Sequence, residues 1–336
     1  MDIVTQSLLG AALAQTVATK KEIKLATMIG LVAGILADAD IFIFSASDPL
    51  LTLDFHRHFT HSILFIPIGA LIAAGILKLF LKDRIGFKRL YVFSLLGYSL
   101  SGFIDACTSY GTYLFWPLYS EKIAFNIISI IDPVFTLGLL VSVLMVWFKA
   151  QTKYAVWGLV FCALYLSAGL FQHQRGINSA EQLIAERGHS AEKILVKPSF
   201  ANILVWRQLY IADSRIYVDA VRLAWSAKIY EGESVPLFDT ERDKPAIKAD
   251  SVLYNDIERF KRFSSGYIAI SSQYDNVLGD IRYSMLPNSV DPIWGIKLNL
   301  SEQDKHASYG FYRENNKVVR QKFLDMLIGR SLLQEH

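Results

Sequence analysis

Two cysteines in 336 residues, Cys107 and Cys162, both in apolar surroundings, exclude a disulfide framework. Neither sign of charge predominates. A net charge of +3 with no basic block argues against nucleic acid as a partner. Residues 1–6 carry no basic n-region, and no small-residue cleavage site follows the apolar stretch 7–18, so no cleavable signal peptide is expected. Internal repeats and low-complexity tracts are missing too. Apolar residues, by contrast, are abundant: 52% of the chain is hydrophobic and the mean hydropathy is +0.30, high for a soluble enzyme. The excess lies before about residue 172, in long apolar runs. Beyond it, charged and aromatic residues alternate in shorter segments.

A membrane span takes about 20 mainly apolar residues. The runs 25–44, 62–81, 90–108, 127–148 and 154–172 qualify, and 7–18, extended back to residue 3, makes a sixth. Lysine and arginine set the orientation. Lys20, Lys21 and Lys24, then Lys82, Arg84, Lys88 and Arg89, then Lys149 and Lys153 occupy alternate connections, which are expected to be cytoplasmic. Residues 45–61 and 109–126, the N-terminus and everything after 172 then face outward. The short outer loops hold only Arg57 and Lys122.

On that topology the ionisable residues gather at the outer face. Asp38 and Asp40 sit in "GILADADIFIF", Asp105 in "SGFIDACTSYGT" and Asp132 in "ISIIDPVF", while Asp2 and Gln6 open the first run. "DFHRHFTHS", residues 54–62, packs three of the seven histidines, His56, His58 and His61, at the mouth of an apolar helix. A charged group near the centre of a span costs roughly 2.5–3.5 kcal/mol, so such residues persist where they pair, line water or bind something. Aspartate with histidine is a ligand set for a divalent transition metal. Each residue also has a structural reading. Asp38 and Asp40 suit a helix end or a pairing with Arg57. Asp105 suits a polar helix end, although the helix dipole disfavours an acid there. Asp132 precedes Pro133, a common helix start. Arg57 is either an anion clamp through its two-pronged guanidinium or a headgroup anchor. The same-face clustering favours a metal site.

At these residues the chain resembles the YdjM-like family of bacterial inner-membrane proteins, described as metal-dependent hydrolases. The family's Asp…Thr-His element is met here by Asp2 with Thr5-Gln6, and its Pro-Asp-x-Asp by Ala37-Asp38-Ala39-Asp40. His-Arg-x-x-Thr-His-Ser is met by His56-Arg57-His58-Phe59-Thr60-His61-Ser62, and His-x-x-x-Asp by Ser101 to Asp105 followed by "TSYGTYLFWP". "SIIDP", "WRQLY", "RFSSGY", "DIRYSMLP" and "IWGI" look like the long-form members. The expected ligands of a zinc or manganese ion are Asp38, Asp40, His56, His61 and Asp105, and the expected catalytic residues are Asp40, Arg57 and His58, with one carboxylate doubling as general base and Arg57 as anion clamp. Gln6 and Ser101 stand where the family has histidine, and His58 is the candidate to make up for them; Asp2, Gln6, Ser101 and Asp132 are secondary candidates. The ligand pattern is also similar to that of zinc-dependent phospholipase C, which suggests a phosphoester as the bond cut.

Past residue 172, "RGINSAEQLIAERG" reads as an amphipathic helix stopped at Gly188. "ILVKPSFANILVWRQLYIADSRIYVDAVRLAW" reads as strands turning at "ADS". Two strands around "YDN", another at "IWGIKLNL" and a strand-helix pair in 307–325 complete a small α+β domain. Arg207, Asp280 and Arg282 either border the membrane site or form surface or buried pairs, the second being favoured.

The expectation is therefore a membrane α-helical bundle of five or six spans (1–172) followed by an extracytoplasmic, periplasmic α+β domain (173–336). Its expected activity is hydrolysis of a membrane lipid or lipid-linked phosphoester at the inner membrane. The alternative is a non-catalytic metal-binding or interaction scaffold. A transporter is weaker, because the polar residues sit at one face instead of mid-membrane.

Overall fold

The apolar runs fold as helices in the computed structural model, which describes residues 1–313 and 316–332. The chain divides into two units. Met1–Ile43, Phe55–Phe171 and Phe200–Ile203 make the first; Phe44–Asp54, Gln172–Ser199 and the chain from Leu204 onward make the second.

In the first unit, α1 (Ile3–Thr16) begins at Asp2, whose carboxylate accepts the N–H groups of Val4 and Thr5, a cap contributing about 1 kcal/mol. Helix α2 (Ile23–Ile35) tightens into 3-10 turns over Leu36–Phe42. The short α3 (Leu51–Phe55), which apart from Phe55 belongs to the second unit, leads through 3-10 turns to α4 (Ile66–Leu81). Then come α5 (Phe87–Ser99), α6 (Ser101–Ala106), α7 (Pro133–Lys149) and α8 (Lys153–Glu186), whose residues from Gln172 on belong to the second unit.

Among the described residues, three stretches are long and apolar enough to cross a membrane: Ile23–Phe42, Ile63–Arg84 and Lys153–Glu186; Pro133–Lys149 is apolar but shorter. The run 90–108 is divided at Leu100 into α5 and α6. The run 127–148 becomes helical only at Pro133, because the residue before a proline is pushed out of the helical region and Asp132 is extended, at φ −129° and ψ 103°. The last run does not stop at 172. It continues through the stretch read as a separate amphipathic helix and ends before Gly188, at φ +67°.

Helices α1, α2 and α5 approach through glycine. A Cβ on Gly10 would lie 2.5 Å from the Gly30 carbonyl oxygen and 2.7 Å from that of Gly97. Small residues at such crossings let helices associate by backbone contact where lipid removes the hydrophobic drive.

In the second unit, β1 (Lys193–Pro198), β2 (Val205–Ala212), β3 (Arg215–Leu223) and β4 (Ala227–Tyr230) form an antiparallel sheet in that order, with β5 (Ser234–Pro236) also pairing β3. The β2–β3 hairpin turns on Asp213 and Ser214, both at positive φ, as a two-residue turn matched to strand twist requires. After α9 (Thr240–Asp243) and α10 (Val252–Phe263), a second antiparallel sheet runs β6 (Ile268–Ile270), β7 (Val277–Asp280), β8 (Trp294–Lys297), β9 (Ser308–Phe311), and α11 (Lys317–Ile328) follows. The strands of the described residues thus form two antiparallel sheets. Residues 314 and 315, inside the expected strand-helix pair, lie outside the described residues. Helix α10 buries Leu253, Ile257 and Phe260 in one cluster with Ile268, Leu278 and Ile296, and Leu50 joins that core from the 44–54 segment.

Arg282 and Asp280 form a buried ion pair at 2.8 Å, and Arg207 donates to the carbonyls of Ile281, Leu286 and Pro287. These residues are internal braces. Beside them Lys197, 6% exposed, donates to the Arg282 carbonyl and lies 3.2 Å from the Tyr283 ring centroid. Burial, and then the charges of Arg207 and Arg282, hold its amine well below the ordinary 10.5. A lysine whose pKa falls on folding costs stability at low pH; that cost fades as pH rises from the folded value toward 10.5, with a limiting slope of about 1.4 kcal/mol per pH unit. Lys197→Met is therefore expected to be more stable than the wild type at neutral pH and to lose this rise. Thermal melts of the two proteins from pH 6 to 10 check it.

Candidate metal centre

The second apolar stretch ends in 3-10 turns, and this carries the chemistry. The turns over Leu36–Phe42 put Asp38 and Asp40 at one end of the bundle. His61 closes a single 3-10 turn, Phe59–His61, whose backbone lies against α6: a Cβ on Gly102 would meet the His61 carbonyl oxygen at 2.0 Å. Asp105 comes from α6 itself. Tyr98, from α5, fixes the same turn by donating to the Thr60 carbonyl at 2.6 Å.

His61 Nε2 lies 2.9 Å from Asp105 Oδ2 and 3.2 Å from Asp38 Oδ1. His61 is 1% exposed, yet neither its Nε2 nor Asp38 Oδ1 finds a hydrogen-bond partner, because the approach lacks hydrogen-bond geometry. Two carboxylate oxygens and an imidazole nitrogen thus converge on one point without bonding to each other. A buried atom left so costs about 1–3 kcal/mol. A divalent cation removes that cost, and the donor set suits one.

The other face of the imidazole is occupied. Nδ1 lies 3.0 Å from Thr60 Oγ1 and 3.3 Å from Asp40 Oδ2. Asp40 accepts from the Arg57 backbone N–H at 2.8 Å and from Thr60 Oγ1 at 2.7 Å, and its other oxygen meets His56 Nδ1 at 2.9 Å. Burial holds His56 below the ordinary imidazole range against the pull of Asp40, so at neutral pH it is an uncharged donor. A second set of possible ligands, Asp38, Asp40 and His56, shares Asp38 with the first, but both Asp40 oxygens in it are already engaged. A carboxylate behind a ligating histidine is the usual device for fixing tautomer and ring orientation.

Arg57 is 4% exposed. Its Nη2 pairs with Asp105 Oδ1 at 3.2 Å and donates to the Met1 carbonyl, and its Nη1 donates to Thr108 Oγ1. The guanidinium also lies over the Tyr110 ring, 5.0 Å from its centroid. The backbone at Arg57 is left-handed, φ +62°, a conformation costing a non-glycine residue about 1–3 kcal/mol unless its surroundings impose it. Here they do: the N–H is held by Asp40, and the carbonyl accepts from Thr112 Oγ1 and the Tyr113 N–H.

The remaining candidates, Gln6 apart, fall elsewhere. His58 is not brought into the carboxylate network. Its ring lies among Phe55, Phe59, Tyr113 and Trp116, with centroids 4.5–6.2 Å away. Asp2 and Asp132 cap α1 and α7, Asp132 also accepting from the Tyr165 hydroxyl. Ser101 donates to the Gly34 carbonyl. Gln6 donates its amide to Asp105 Oδ2, while its carbonyl oxygen is buried without a hydrogen-bond partner. Sequence reasoning missed Thr60, Thr108 and the Met1 amino group, which binds Asp105. That amine is held below its ordinary range first by burial and then by Arg57.

The family model described as "YdjM inner membrane protein" matches residues 1–176, more than half the chain and all of this cluster. The chain is also similar to a protein of Bacillus subtilis (strain 168) named "Uncharacterized protein YfhP", 28% identical over 141 residues. That match covers 42% of this chain and 41% of the relative's length. No solved structure matches.

Proposed function

This chain belongs to the YdjM inner membrane protein family, and from that premise we propose that it is a metal-dependent hydrolase of a lipid or lipid-linked phosphoester. In this reading the bundle crosses the inner membrane five or six times, with the site and the C-terminal domain on the periplasmic side. The distribution of lysine and arginine supports that orientation. So does the membership of residues 44–54 in the C-terminal unit, as expected of a loop and a domain that share one aqueous compartment.

The observation that carries the proposal is the convergence of His61 Nε2, Asp38 Oδ1 and Asp105 Oδ2, the first two of them without a hydrogen-bond partner. These three would hold zinc or manganese, leaving a coordination position open. When bound, such an ion supplies Lewis-acid charge stabilisation and an acidified water. The chain's own residues do the rest. Asp40 and Thr60 orient His61; His56 and the Arg57 N–H hold Asp40. Asp38 keeps a second carboxylate oxygen to take a proton, and is the general base in place of Asp40. Arg57 offsets Asp105 and supplies the positive charge beside which a phosphate is steadied. A centre at headgroup depth meets a lipid by lateral diffusion, which favours that substrate class.

A second reading, a metal-binding scaffold without catalysis, is favoured by Gln6 and Ser101, which stand at the family's histidine positions and here make structural hydrogen bonds. Purified full-length protein, loaded with zinc or manganese and given phospholipid in mixed micelles, separates the two. Phosphoester hydrolysis that is lost on chelation and in His61→Ala supports the enzyme. Stoichiometric metal with no turnover of any phosphoester lipid supports the scaffold.

A further inference from the structure

Trp225 is fully exposed, more so than any other large apolar side chain among the described residues. It stands at the tip of the turn 224–226, where β3 folds back into β4. Tryptophan is among the side chains most buried on average, and the position of this one along α8 says which partner suits it. The turn is tied to that helix. Gln172 Nε2 donates to the Leu223 carbonyl and Arg175 Nη2 to the Ala224 carbonyl, both at 2.8 Å. Arg175 Nη1 also holds Gln172 Oε1 at 2.7 Å. All of these residues belong to the second unit.

Within the same unit α8 orders the rest of the first sheet. His173 Nε2 lies 3.0 Å from the Val196 carbonyl oxygen, and the Gly176 carbonyl accepts from Gln208 at 2.9 Å. Further on, Ile184 packs with Tyr210 and Ala212, and the His189 ring lies 4.6 Å from that of Tyr217. The β3–β4 turn is therefore level with residues 172–175. The β2–β3 turn is level with the far end of the helix, about 20 Å away at 1.5 Å per residue. Residues 172–175 are also where the apolar part of α8 ends, since no Asp, Glu, Lys or Arg stands between Lys153 and Arg175. In a chain of an inner membrane protein family, Lys153–Glu186 is long and apolar enough to cross the bilayer. Trp225 is thus level with the point where that span meets water, the depth at which tryptophan is enriched. Arg222 and Lys228 face each other across the strands at the base of the turn. They donate to the carbonyls of Leu327 and Gly329, which leave both positive charges for anionic headgroups.

We propose that the β3–β4 turn is a membrane-surface anchor, with the Trp225 indole lying among the headgroups of the lipid bilayer. The proposal rests on the reading that α8 crosses the membrane and is independent of the metal centre. Full-length protein in vesicles of phosphatidylethanolamine and phosphatidylglycerol tests it, spin-labelled in turn at Leu164→Cys, Ser226→Cys and Ser190→Cys. Leu164 is an exposed residue of the apolar part of α8, Ser226 adjoins the intact Trp225, and Ser190 follows the far end of the helix. Wild type treated with the same reagent gives the background from the buried Cys107 and Cys162. Power saturation with oxygen and with a water-soluble nickel complex reads the depth of each label. The expected oxygen-to-nickel ratio at 226 lies between those at 164 and 190 and severalfold above the latter. Trp225→Ala should move the 226 label towards the value at 190 without change at 164. A 226 label that matches 190, or one that Trp225→Ala leaves unmoved, overturns the proposal. Shielding of 226 from both reagents overturns it as well, in favour of a protein partner. A 164 label that reads water contradicts the span itself, and the anchor falls with it.

Discussion

Purified His61→Ala, reconstituted with zinc or manganese and dialysed, is expected to retain almost no metal where the wild type retains about one ion per chain. Among the described residues its Nε2 is the only imidazole nitrogen that meets both Asp38 and Asp105, and without it two carboxylates remain beside a guanidinium that already offsets one of them. Removing a direct ligand should cost more than the roughly 10–100-fold typical of an outer support. His56→Ala, which removes a hydrogen bond to Asp40 at 2.9 Å, should fall within that 10–100-fold range. His58→Ala, from the aromatic surroundings of the same nonapeptide, should bind metal as the wild type does. Elemental analysis and chelator competition on the three variants give the order. Equal losses in all three would mean that the histidines act only on the fold.

Gly102→Ala is expected to be nearly as damaging, though it touches no ligand atom. The added Cβ would fall 2.0 Å from the His61 carbonyl oxygen and 3.3 Å from a methyl group of Leu114. The first of these is backbone, held in a 3-10 turn whose Thr60 carbonyl is tied to Tyr98, so no rotamer change relieves the clash. Either α6 or the turn must move, at a cost of about 1–3 kcal/mol and occasionally more. Either movement separates His61 from Asp105. Thermal stability in detergent and metal affinity should therefore fall together. A variant with wild-type affinity would show that the turn is free to shift without disturbing the ligands.

Several parts of this arrangement were readable in the residues. Acids and imidazoles in apolar context are costly unless they serve a purpose, and Asp38, Asp40, His56, His61 and Asp105 are all found in one connected cluster. Asp132 before Pro133 reads as a helix start and is one. The Asp213–Ser214 turn follows from its own chemistry. What could not be read depends on contacts remote in sequence. His58 and His61 look equivalent at a spacing of three, yet the turn aims one at aromatic rings and the other at carboxylates. Gly102 matters only because the His61 backbone reaches it. Hydropathy assigns residues 45–61 to one loop, whereas their first part completes the core of another unit through Leu50. The division of 90–108 at Leu100 has no proline or glycine at the break to announce it.

X-ray absorption at the zinc edge of the reconstituted full-length protein tests the central claim most directly. The account predicts a shell of nitrogen and oxygen at about 2.0–2.2 Å with the outer scattering of a single imidazole, and loss of that imidazole signal in His61→Ala. A sulfur shell near 2.3 Å, or an oxygen shell with no imidazole at all, would contradict it.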